Sequence, residues 1–135
     1  MSTEIYTLMC NDPRIQASLK WEPKVGDEYG ITIGSKNSWL ILDRQDLYLA
    51  RKSVLKESGY FWHPRCEDLV ESLKGQLIRI YNYDQTDGTS RYKVELHRRG
   101  RSWEAFKGYT FVETLLLAFA WTVGWKWEDG KWERR

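Results

Sequence analysis

The stretch WTVGWKWEDGKW, residues 121 to 132, places four of the chain's eight tryptophans in twelve positions, and the turn inside it constrains how they can lie. Asp129-Gly130 is a favoured two-residue hairpin turn. Pairing strands around it sets Glu128 opposite Lys131, Trp127 opposite Trp132, Lys126 opposite Glu133 and Trp125 opposite Arg134. Two of these pairs are oppositely charged, one is aromatic on aromatic, and one sets a cation over an indole, so all four favour the same register. Trp125, Trp127 and Trp132 then share one face, with Lys126, Glu128, Lys131 and Glu133 on the other. The indole face is expected to be buried against the preceding helix, each side chain contributing roughly 1.5 to 3 kcal/mol by leaving water. The alternative is an aromatic pocket for a ligand, drawn from Trp62, Trp125, Trp127 and Trp132.

That preceding helix is predicted over TFVETLLLAFAWTVG. Thr110 and Glu113 stand at capping-box spacing and Gly124 ends the run. Val112, Leu115, Leu116 and Phe119 form a buried stripe that Leu117 and Trp121 widen, as expected for a helix laid across a sheet. The longest apolar run, Leu115 to Trp121, is seven residues, far short of the roughly 20 that a spanning helix needs. No membrane association is therefore expected.

Upstream, YGITIG and SWLILD read as two strands of a hairpin separated by SKN. Residues 44 to 58 suit a helix, with Leu47, Ala50, Val54 and Leu55 at helical spacing, Asp43 as cap and Gly59 as stop. A second helix is predicted from Cys66, Leu69, Val70 and Leu73, with Pro64 before it and Gly75 after it. Three antiparallel strands follow, QLIRIYNY, SRYKVELHR and RSWEAFK, with turns at Asp87-Gly88 and Arg99-Gly100. In the middle strand Tyr92, Val94 and Leu96 alternate with Arg91, Lys93, Glu95 and His97, one face apolar and the other charged.

A chain of 135 residues with 41% hydrophobic, 30% charged and 15% aromatic residues falls within single-domain size and globular proportions. The expected class is α+β: one domain over residues 1 to 135, an antiparallel sheet packed by two helices with a third from 44 to 58, and a Trp-rich C-terminal hairpin. A formal charge of +2 is too small to announce nucleic-acid binding, so any such role must rest on a local patch. With two cysteines, Cys10 and Cys66, and no secretion signal at the start, free thiols and the cytoplasm are expected.

No reaction class is indicated. His63, Cys66, His97 and Cys10 lack zinc-ligand spacing, Asp43/Asp46 and Glu67/Asp68 lie where helix starts favour negative charge, and no Gly-rich phosphate loop exists. No catalytic residue, cofactor or metal site is nominated. The basic stretch RYKVELHRRGRSWEAFK carries six Lys/Arg against two Glu. Arg98, Arg99 and Arg101 cluster at its turn, with Arg91 and Lys93 along the charged face, and together they are the candidate contacts for a phosphate or an acidic partner. The competing reading is an ordinary solvated strand face.

Two elements, WEPKVGDE from Trp21 and WHPRCEDL from Trp62, share a W-x-P-basic pattern in which proline holds the preceding residue extended. Together with FVETLLLAFAW and GWKWEDGKW, this order resembles a family of small uncharacterised proteins of Firmicute phages and prophages, across much of residues 20 to 132. The segment Asp43 to Gly59 departs from that pattern. The resemblance implies a mobile-element origin in a bacterial cytoplasm and no catalytic signature. Small phage accessory proteins commonly act by binding, so the expectation is a non-enzymatic binding protein with a host protein partner, such as an antagonist of a host defence complex of the anti-CRISPR kind. Sequestration of a small nucleotide and binding of nucleic acid are the alternatives, and self-association is left open.

Overall fold

The computed structural model describes residues 4–20, 22, 24–33, 36–44, 60–82, 91–98 and 101–135, without the side chains of Ile33, Asn37, Tyr60, Leu77, Arg98, Arg101, Ser102 and Trp103. The fold is α+β, as expected, and every sheet is antiparallel. Its residues group into two units, Met1–Arg65 and Cys66–Arg135. The helix expected over residues 44 to 58 and the Asp87-Gly88 turn lie outside the described residues.

The first unit opens with two helices that the sequence reading did not anticipate, α1 (Glu4–Cys10) and α2 (Pro13–Leu19). At seven residues each they are too short to hold helical structure alone, so packing must hold them. Local chemistry sets the boundary between them. Asp12 caps α2, its carboxylate accepting from the Arg14 N–H at 2.8 Å, Pro13 occupies the first turn, and Lys20 ends the helix in the left-handed region. A three-stranded sheet follows, β1 (Glu28–Ile33), β2 (Lys36–Ile41) and β3 (Tyr60–His63), in the order β2-β1-β3. The predicted β1–β2 hairpin forms, with Glu28 opposite Ile41, but β2 begins earlier than expected: Lys36 and Asn37, read as turn residues, pair with Ile33 and Thr32 as part of β2, which ends at Ile41.

Helix α1 packs against both outer strands and buries Tyr6, Met9 and Cys10. The strand face beneath it carries Gly30, Phe61 and His63. A Cβ on Gly30 would collide with the Phe61 ring and stand 2.9 Å from His63 Nε2. Here glycine is required by the close approach of two rings. The outer edge of β3 is closed by one side chain: Gln16 Nε2 donates to the Trp62 carbonyl at 2.8 Å while Gln16 Oε1 accepts from the Trp62 N–H at 2.9 Å. A side-chain amide thus takes the place of a further strand and satisfies an otherwise open ladder.

The second unit contains α3 (Cys66–Ser72), the sheet β4 (Leu77–Asn82), β5 (Tyr92–Arg98) and β6 (Arg101–Gly108), then α4 (Phe111–Thr122) and the hairpin β7 (Trp125–Glu128) and β8 (Lys131–Arg134). Expectation and structure agree closely here, with a three-stranded antiparallel sheet and a separate C-terminal hairpin. Gly75, at φ +96°, follows α3 where a stop was predicted. Thr110 caps α4, its hydroxyl accepting from the Glu113 N–H at 3.3 Å. Leu115, Leu116 and Phe119 are buried, and the helix packs on β5, β6, β7 and α3. Phe111 stacks on Tyr92 and Trp121 meets Phe106 edge-on, which fixes the even-numbered face of β5 and β6 as the one beneath α4.

Candidate functional site

The tail hairpin has the predicted register at all four pairs. Asp129 and Gly130 both take positive φ, 53° and 76°, as the favoured turn demands. Trp127 and Trp132 meet edge-to-face with centroids 5.0 Å apart, and the Arg134 guanidinium stands 5.6 Å from the Trp125 ring. Trp132 is 4% exposed, whereas Trp125 and Trp127 are half-buried. The charges differ from expectation, because they pair along each strand rather than across: Lys126 with Glu128 at 3.1 Å and Lys131 with Glu133 at 3.6 Å. Positions two apart on a strand share a face, and long side chains lean along the strand direction, so the neighbour on the same strand is within reach. Trp62, the fourth indole of the alternative pocket, is buried in β3 of the other unit.

Asp27 and Arg65, one from each of the two W-x-P elements, meet in the first unit. The Asp27 carboxylate accepts from the Lys24 N–H at 3.0 Å and lies 3.5 Å from the Arg65 guanidinium. The G-D of one element thus closes a turn, Gly26 at φ +93°, and ties it to the arginine of the other. Beside this link an open recess of about 620 Å³ is lined by Gly26, Glu28, Trp39, Leu40, Ile41 and Arg65.

Glu28 also approaches a buried imidazole, with His63 Nδ1 3.7 Å from Glu28 Oε2 and no hydrogen-bond partner among the described residues for either ring nitrogen. Burial lowers the His63 pKa to about 4, against the opposing pull of the Glu28 charge. The neighbouring Cys10 thiol is fully buried and pushed far up by desolvation, the opposite of what a nucleophilic thiolate requires. Both cysteines are free. Among the described residues no group of three or more His, Cys, Asp or Glu is placed to hold a metal ion.

The basic stretch forms the outer face of the β4–β5–β6 sheet, opposite α4. Register places Tyr81 beside Lys93 and Lys93 beside Lys107 in one row, with Arg79 beside Glu95 and Ala105 in the next. Continuing from the Tyr92–Gly108 pair by one residue sets Arg91 opposite Tyr109, and the Arg91 N–H donates to the Gly108 carbonyl at 3.0 Å. The Arg91 guanidinium stands 5.1 Å from the Tyr109 ring and the Lys93 ammonium 5.5 Å from the Tyr81 ring. Tyr81 and Tyr109 are 40% and 48% exposed, and Arg79, Arg91 and Lys107 are exposed too.

One carboxylate belongs to this face among the described residues, and it is occupied. Glu95 Oε1 pairs with Lys93 at 3.0 Å, while its Oε2 meets His97 Nε2 at 3.0 Å. Lys93, and secondarily His97, hold the Glu95 carboxyl below the usual carboxylate range. No ion pair among the described residues engages Arg79, Arg91 or Lys107.

Of the five candidate contacts, the structure therefore places Arg91 and Lys93 on one surface, with Lys93 already partnered. Arg98 and Arg101 face each other in the last β5–β6 register position; their side chains and the whole of Arg99 lie outside the described residues. The face also corrects the expected row of charges, because His97 is 8% exposed and sits at a register shift between Leu96 and His97 where the ladder is irregular. Sequence reasoning missed Arg79, Tyr81, Lys107 and Tyr109 as members of the face. Alternation in LIRIYNY carries the signal for Arg79 and Tyr81, but only the pairing with β5 sets them beside Lys93 and Glu95.

No family model, no curated protein and no solved structure matches this chain. Among the described residues no helix is long and apolar enough to cross a membrane.

Proposed function

We propose that the protein acts by binding rather than by chemistry, and that it grips an anionic partner with the outer face of the β4–β5–β6 sheet. The carrying observation is charge in register. Among the described residues Arg79, Arg91, Lys93 and Lys107 share a face with one carboxylate, that of Glu95, four cations against one anion. Lys93 lies directly opposite Lys107, a like-charge arrangement that disfavours the sheet itself. A surface kept only for solubility gains nothing from it; one that meets a negative partner does, through attraction and faster encounter.

The resemblance to small phage and prophage proteins supports the same reading at the level of biology, an accessory factor that captures a component of the host, such as a defence complex, in the bacterial cytoplasm. The test is charge reversal at Arg79, Arg91 and Lys107, which make no ion pair among the described residues. The variant Arg79→Glu/Arg91→Glu/Lys107→Glu is expected to lose retention on an immobilised polyanion and capture of its host partner, with an unchanged melting temperature. Undiminished retention by a folded variant would remove the assignment.

A further inference from the structure

We infer that the anion this face receives is a single-stranded nucleic acid, read without sequence preference, with Tyr81 and Tyr109 as stacking platforms for bases and Arg79, Arg91 and Lys107 as contacts for the backbone. The inference rests on the binding reading above and goes beyond it by naming the partner's class. An acidic protein surface is satisfied by cations alone. This face adds two half-exposed phenol rings, one on each side of the cationic middle strand, each offering a ring face on which a base can stack.

Geometry favours a strand of nucleotides over a compact anion. Same-face positions along β5 are about 6.8 Å apart and neighbouring strands about 4.8 Å apart, so Tyr81 and Tyr109 lie on a diagonal of roughly 12 Å that passes over Lys93 and Arg91. That span suits two bases with a charged backbone between them, the combination of cationic track and aromatic platforms that binds single strands generally. A duplex keeps its bases stacked inside and offers no ring to the tyrosines, so it has only phosphate contacts to gain. Each ring already has a cation over it. On binding, the Arg91 guanidinium turns to a phosphate and the Lys93 ammonium draws back toward Glu95, which leaves each ring face to a base.

Fluorescence anisotropy with a labelled fifteen-residue oligothymidylate tests this, beside a duplex of the same length, inorganic polyphosphate and polyglutamate. The full chain is expected to prefer the single strand to the duplex. Its log–log salt slope should be about −2, from roughly −0.7 for each phosphate met by Arg79, Arg91 and Lys107. Tyr81→Leu and Tyr109→Leu should each weaken oligothymidylate about ten-fold and leave polyphosphate binding unaltered. Both tyrosines are half-exposed, so these variants are expected to fold, and circular dichroism with melting checks it.

Equal affinity for duplex and single strand, or equal loss of polyphosphate in the tyrosine variants, would overturn the nucleic-acid assignment. The broader binding reading would survive that outcome if the Arg79→Glu/Arg91→Glu/Lys107→Glu variant still lost polyglutamate or partner capture. If that variant bound every anion as well as the parent chain, both readings would fall together.

Discussion

Between pH 7 and pH 5, above the range where the carboxylates titrate, acidification should destabilise this protein through His63. Its imidazole is buried beneath α1 among Tyr6 and Phe61, with Glu28 as the nearby charge at 3.7 Å. In the folded state its pKa lies near 4, whereas the ordinary value, which the unfolded chain recovers, is 6.5. Between those values the unfolded chain binds a proton that the folded chain refuses, so stability rises with pH and is lost as pH falls from 6.5 towards 4. A difference of about 2.5 pKa units corresponds to about 3 kcal/mol in total, of which about 2 kcal/mol is gone by pH 5. That is a substantial part of the 5 to 15 kcal/mol typical of a small domain.

The assay is urea denaturation at pH 7 and pH 5, repeated with His63→Leu, which keeps an apolar side chain of similar bulk in the site. The parent chain should lose about 2 kcal/mol across that interval, and the variant should lose little. Glu28→Gln makes a sharper prediction. The Glu28 charge is what partly offsets the burial of His63, so its removal should depress the imidazole pKa further and extend the loss below pH 4. A parent and a His63→Leu variant with the same pH dependence would refute the reasoning.

Two further perturbations probe the packing. Gln16→Leu removes the amide that both donates to and accepts from Trp62 on the edge of β3, and leaving those backbone groups without it should cost about 2 to 3 kcal/mol in denaturation. Gln16→Glu should fail to restore this, because a carboxylate cannot donate to the Trp62 carbonyl. Trp132→Ala should cost about 3 to 5 kcal/mol, given its burial and its edge-to-face contact with Trp127; a loss below 1 kcal/mol would mean that the tail indoles are not part of the core.

The residues that the sequence determined by itself are those whose partners lie within a few positions. Asp129-Gly130 dictated the turn, and the turn dictated four cross-strand pairs. Thr110 and Glu113 dictated the start of α4, and the spacing of Leu115, Leu116 and Phe119 dictated the face it buries. These follow from the two-residue and 3.6-residue periods of the backbone, which any window of the chain exposes.

Burial and long-range register were decided only by the tertiary structure. The first twenty residues carry one local signal, the Asp12-Pro13 start of α2, but no apolar period and stop like those that mark α3, and α1 and α2 are held by what they cover. His63 looks like a surface histidine at a helix start until Phe61, Gly30 and α1 close around it. Asp27 and Arg65, one from each W-x-P element, lie 38 positions apart, and their link exists because β1 pairs with β3. The cationic face has the same origin: Arg79, Lys93 and Lys107 come from three separate strands, and a slip of one residue in either pairing would turn them to opposite sides of the sheet. Local chemistry chose the elements, whereas the packing of their faces chose which charges and rings meet.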